Sequence, residues 1–154
     1  MVATTTSRSG PLPPAYFLVA IIAMVAVHWL MPVRQYLSWP WRLTGALPIL
    51  LGLGLAIVAD QQFKRAGTTV KPFESSSELI TDGVFRFSRH PMYVGMVLVL
   101  LGIGIGLGSA GPFVVVPVFV WLITVRFVGP EERAMTVQFG GAYEAYKREV
   151  RRWL

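Results

Sequence analysis

A chain of 154 residues, 54% of them hydrophobic and only 14% charged, lies outside the range of soluble domains, which carry about 25% charged residues. With a mean hydropathy of +0.57 it reads as a single membrane domain, and the absence of cysteine excludes a disulfide framework and a thiolate metal site. A net charge of +6 in so apolar a chain suits basic loops against anionic lipid headgroups and argues against a nucleic-acid partner.

In chain order, residues 1–14 (MVATTTSRSGPLPP) are polar and proline-rich and are expected to be a disordered tail. The first apolar run, about 15–31, is preceded by a single arginine, and no small-residue cleavage site follows it, so it reads as a span and not a signal peptide. Further runs follow at about 43–59, 92–108 and 112–127. Each is near the lower limit of the roughly 17–25 residues that cross a hydrocarbon core. Because no water satisfies open backbone groups there, all four are expected to be helices. The fold expected is an all-α integral membrane protein of four transmembrane helices plus a C-terminal amphipathic cytoplasmic helix.

The link between the first two spans carries Tyr36, Trp39 and Trp41, residues of a headgroup-level aromatic belt. The 60–91 segment is rich in turn formers and reads as an ordered loop with at most a short helix. The run GIGIGLG at 102–108 fits no register of GxGxxG and follows no strand. Gly102 with Gly106, and Gly104 with Gly108, instead have the small-xxx-small spacing of close helix packing in lipid. Residues 109–112 leave room only for a tight hairpin. In the last segment Met135, Phe139, Tyr143, Tyr146, Val150 and Trp153 form one apolar stripe, which Gly140 and Gly141 are expected to kink or split. If four spans alternate, twelve of the fourteen basic residues share one side, against Arg34 and Arg42 on the other. That asymmetry places both termini in the cytoplasm.

Polar residues are few, so each can be weighed. His28 lies inside the first span near its end, beside Trp29; an ionisable group there is either functional or a neutral ring hydrogen-bonded to a headgroup or a neighbouring helix. The stretch SRHPMYVG at 88–95 places Pro91 in the first turn of the third span, with Arg89 and His90 at a helix start that favours an anionic group. Glu131 and Glu132 follow the fourth span on the same side, where they are either dipole partners of a helix start or site residues. Two distant histidines make no metal set.

Together these pieces resemble the isoprenylcysteine carboxyl methyltransferases and the related phospholipid methyltransferases. The family pattern has a leucine-valine-threonine segment, a glycine, RHPxYxG, a helical hairpin and EExxLxxxFGxxYxxY. This chain has LIT at 79–81, Gly83, RHPMYVG at 89–95 and EERAMTVQFGGAYEAY at 131–146. The resemblance covers about residues 64–154 and implies S-adenosylmethionine as cofactor, held at the cytoplasmic face. It implies that His90, Pro91, Tyr93, Leu79, Ile80 and Phe85 line the pocket and that Glu131 binds a polar part of the cofactor. Phe85 stands where a tyrosine is common. The arginine that faces the substrate in that family has no match in register: Phe127 occupies its place and Arg126 is one residue off. His90 and Arg126 are the candidate catalytic residues. The acceptor implied is membrane-borne, such as an isoprenylcysteine-like carboxylate, a phospholipid amine or a hydrophobic thiol. An NADPH-dependent membrane reductase akin to sterol reductases and a non-catalytic membrane protein are the alternatives.

Overall fold

The computed structural model describes residues 12–31, 35–66 and 79–154. Most of the expected N-terminal tail, and residues 67–78 of the 60–91 loop, lie outside them. The described residues form α1 (Pro13–Leu30), α2 (Ala46–Arg65), α3 (Pro91–Leu107), α4 (Val115–Ile123), α5 (Gly129–Phe139) and α6 (Gly141–Glu149). Short 3-10 turns stand at Trp41–Gly45, Gly83–Arg86 and Gly111–Val114, and a π turn at Thr124–Val128 joins α4 to α5.

Three helical stretches are long and apolar enough to cross a membrane: Pro13–Leu30, Trp41–Arg65 and Gly111–Phe139. The fourth expected span, α3, has 17 residues. At about 1.5 Å per residue it reaches about 25 Å, at the lower limit of what crosses a hydrocarbon core. Its limits follow from local chemistry. Pro91 starts it, and Gly108 stops it in the left-handed conformation (φ 74°) that side chains avoid.

The C-terminal segment is split where its paired glycines led one to expect. Gly140, with φ 53° and ψ −125°, divides the segment into α5 and α6, and α5 continues α4 through the π turn. Pro130 has no N–H to give to the preceding turn, which accounts for the altered ladder at that place. The apolar stripe nevertheless holds. Met135, Phe139, Tyr143, Tyr146 and Val150 pack into one cluster, while Trp153 reaches over to another.

Helix α3 is the most enclosed element. On one side it meets α2 through two antiparallel glycine pairs, Gly95 against Gly52 and Gly102 against Gly45, each member seven residues from its fellow. A Cβ on Gly95 would stand 2.6 Å from the Gly52 carbonyl oxygen. The expected Gly102–Gly106 pair holds in part: a Cβ on Gly45 would stand 2.9 Å from the Gly106 backbone N, but a Cβ on Gly106 itself would meet nothing within 4 Å, and the tightest contacts recur every seven residues. On its other side α3 packs on α1 and α4, with Met24, Leu100, Ile123 and Val128 fully buried. Tyr16 meets Phe127 edge-on, and Phe17 meets Phe119. His28 resolves into a structural tie, its Nδ1 2.7 Å from Ser109 Oγ in the α3–α4 turn. Trp29, Tyr36, Trp39 and Trp41 are all exposed around the α1–α2 connection, the arrangement of an aromatic belt.

Candidate active site

The site forms where α3 begins. A residue before proline is held out of the helical region, and His90 accordingly has φ −131° and ψ 59° and caps α3. Its backbone N–H donates to Ser88 Oγ at 3.1 Å. One turn into α3 the Tyr93 ring lies nearly parallel to the His90 ring, with centroids 5.8 Å apart.

Glu131 and Glu132 come in from the other side, on α5. Backbone dihedrals stay helical across the π turn, so the pair does not sit at a free helix start, and the reading as mere dipole partners falls. A π turn adds a residue and rotates the helix beyond it, a device common at functional sites. Here both carboxylates meet the start of α3. Tyr93 Oη donates to Glu131 Oε1 at 2.7 Å. His90 stands between the two acids, with Nδ1 3.6 Å from Glu131 Oε2 and Nε2 3.4 Å from Glu132 Oε1.

The two glutamates have different company. Glu132 is buried, forms an ion pair with Arg89 Nη2 at 3.0 Å, and accepts from Arg152 Nε at 3.0 Å and Arg152 Nη2 at 2.6 Å. Its oxygens are thus consumed within the protein. Among the described residues Glu131 has polar contacts with Tyr93 and His90 alone, and its side chain is 22% exposed against 8% for Glu132. The buried Arg89 Nε has no partner among the described residues, an unspent donor at the edge of the cluster. No group of residues there is arranged to hold a metal ion among those described.

Against this polar knot lies an apolar wall. Phe85, Tyr143, Tyr146 and Val150 are buried together, with Leu79, Ile80, Met92 and Phe139 packed on them. Phe63 meets Phe85 edge-on at 5.2 Å. Tyr146 Oη donates to the Phe85 carbonyl at 2.6 Å, fixing the 3-10 turn to α6. Burial pushes the Tyr143 hydroxyl up to about 12; the charge of Glu132 adds to the push, and Arg89 and Arg152 oppose it. Burial also raises Tyr146. The hydrogen bond to Glu132 raises Arg152, against a smaller burial effect. On the outside of the same 3-10 turn, Val58, Gln62, Val84, Arg86 and Phe87 border a groove of about 650 Å³.

Of the residues singled out from sequence, the structure brings His90, Tyr93 and Glu131 into one network, with Pro91 buried directly behind them. It places Leu79, Ile80 and Phe85 in the adjoining wall. Arg126 is exposed on the π turn and takes no part in the network. Phe127, in the position of the missing arginine, is buried in the helix core. Sequence reasoning overlooked Arg152 and the inward role of Glu132. Within the basic tail Arg152 carries no local mark, since only the chain's return to α3 gives it a partner.

A family model described as phospholipid methyltransferase matches residues 41–142. The protein-S-isoprenylcysteine O-methyltransferase of Schizosaccharomyces pombe is 32% identical over 72 residues, which are 47% of this chain and 30% of that protein. The match thus spans less than a third of that relative. An uncharacterized protein of Haemophilus influenzae is 35% identical over 63 residues, 41% of this chain and all of that protein. No solved structure matches the chain significantly.

Proposed function

Since the chain belongs to the phospholipid methyltransferase family, we propose that it transfers a methyl group from S-adenosylmethionine to a lipophilic acceptor at the cytoplasmic face of a membrane. The observation that carries this reading is His90 held between Glu131 and Glu132, which joins two polar motifs some forty residues apart beside an apolar wall. The same match favours methyl transfer over the NADPH reductase.

The side chains fit an amphipathic cation with polar ends. The stacked rings of His90 and Tyr93 offer a π face, worth about 0.5–2 kcal/mol to a cation. Glu131, the more open acid, accepts a charge-assisted hydrogen bond from an ammonium or ribose hydroxyl. The unspent Arg89 Nε suits an acceptor atom such as a carboxylate oxygen. Leu79, Ile80, Phe85 and Pro91 shape the dry side. When bound, S-adenosylmethionine supplies a sulfonium methyl whose S–C bond breaks as the bond to the acceptor forms, the sulfur keeping the electron pair. With a carboxylate or thiolate acceptor, charge is neutralised in that displacement, so a water-poor wall favours it, and positioning supplies most of the remainder. A carboxylate or thiolate acceptor needs no base. An amine acceptor must lose a proton, and His90 is placed to take it. Arg126, exposed at the edge, would then meet an acidic acceptor without touching the network, and the groove at Val58 and Phe87 is where a lipid-borne chain would approach.

In this reading the cofactor-binding part runs over about 64–154. All four apolar helices cross or enter the bilayer, α3 sheltered by its neighbours, with both termini cytoplasmic as the distribution of basic residues favours. Purified protein incubated with methyl-labelled S-adenosylmethionine and a total lipid extract tests it. Label should appear in a lipid-soluble species, which identifies the acceptor. A folded sample that neither binds the cofactor nor labels any lipid overturns the proposal.

A further inference from the structure

We propose that residues 150–154 form a strap that sets the geometry of the site, with Arg152 a positioning residue acting through Glu132 on His90; this rests on the functional reading above. The strap is held at both ends. Val150 is buried in the aromatic wall beside Tyr143 and Tyr146, and Trp153 packs against the helix core that contains Tyr93 and Phe127.

Between these anchors the backbone runs alongside the turn before α3. The Arg89 N–H donates to the Arg151 carbonyl at 3.1 Å, and Ser88 Oγ donates to the Arg152 carbonyl at 3.2 Å. Ser88 Oγ in turn accepts from the His90 N–H. The strap is therefore hydrogen-bonded to Arg89 and Ser88, and through Ser88 Oγ it is linked to His90, which caps α3. Arg152 then grips both oxygens of Glu132 in the fork geometry that only a guanidinium provides. Glu132 Oε1 faces His90 Nε2 at 3.4 Å.

Arg152 thus fixes the rotamer of Glu132, and Glu132 fixes one side of the His90 ring, leaving the other side towards Glu131. Arg152 touches none of the residues assigned to the cofactor directly, so its effect passes through Glu132. Arg151, one residue earlier, contributes only its carbonyl, and its side chain is exposed.

The test is the affinity of the full chain, in nanodiscs, for labelled S-adenosylmethionine. Arg152→Ala should weaken binding by about 10–100-fold and Arg152→Lys by less, whereas Arg151→Ala should bind as wild type. Glu132→Gln should weaken binding similarly, and the double change Arg152→Ala with Glu132→Gln should be no worse than the weaker single variant, the non-additivity of two residues on one path. If Arg152→Ala does not fold, Arg152→Lys decides, since it keeps the charge but cannot span both oxygens. Wild-type affinity in Arg152→Lys, or fully additive losses in the double variant, overturns the strap. A wild-type chain that binds no cofactor overturns the functional reading and the strap with it.

Discussion

Glu131 and Glu132 are identical in chemistry and adjacent in sequence, yet their surroundings assign them opposite work. Glu132 is enclosed by two guanidinium groups and His90, and Glu131 keeps an open side. Glu132→Gln should therefore cost about 1–3 kcal/mol of stability, since it leaves Arg89 and Arg152 facing each other without an anion. Glu131→Gln should cost less stability but about tenfold in cofactor affinity. Both changes weaken cofactor binding, so thermal unfolding in detergent separates the two: Glu132→Gln should lower the melting temperature more than Glu131→Gln does. Reversal of that order would show that the acids have been assigned the wrong way round. Tyr143 gives a pH test. Its folded value, about 12, lies above its ordinary 10.0, so its contribution to stability is complete below about pH 10 and is lost as pH rises through about 12. Tyr143→Phe should make the alkaline fall in melting temperature shallower.

The contact of α3 with α2 and the turn before it runs through four glycines, where the two backbones approach closely. Gly95→Val would drive a branched side chain into the Gly52 carbonyl, and Gly102→Val into Gly45 and Ile49. Each should destabilise by about 1–3 kcal/mol, as overpacking does. Gly106→Ala meets nothing within 4 Å and should be neutral, or stabilising by up to about 1 kcal/mol through helix propensity. Melting temperatures of the three variants check this. A Gly106→Ala variant as unstable as Gly95→Val would mean that the glycines matter for backbone freedom and not for close approach. At this scale the apolar runs, Pro91 as a helix start and the interruption at Gly140 were all legible, since each is a property of a few neighbouring residues. The π turn was not. Its cause, Gly129 followed by Pro130, is visible in the sequence, but its effect is to turn Glu131 and Glu132 towards α3, and that has meaning only once α3 is beside them.

Across the whole molecule, the site stands at one end of the helices and the exposed tryptophans around Trp39 and Trp41 at the other. Because the chain has no cysteine, single cysteines placed at the exposed positions Ala142 and Ser38 can be labelled without background. In sealed membranes Ala142→Cys should react only with reagent on the cytoplasmic side and Ser38→Cys only with reagent on the other, as the asymmetry of basic residues requires. Labelling of both from one side would remove the proposed topology.

Hydropathy and helix punctuation act over one element at a time, so the amino-acid order alone determined that the chain is helical and apolar, where several helices begin and end, and that polar side chains such as His90 and Glu131 stand beside its apolar runs. Pairing is a property of the folded chain. The packing of Gly95 on Gly52, the return of Arg152 to Glu132 and the burial of Phe127 were decided only when distant segments came within a few ångströms. At that range a carboxylate takes whichever donors reach it first, and the local sequence holds no record of which those will be.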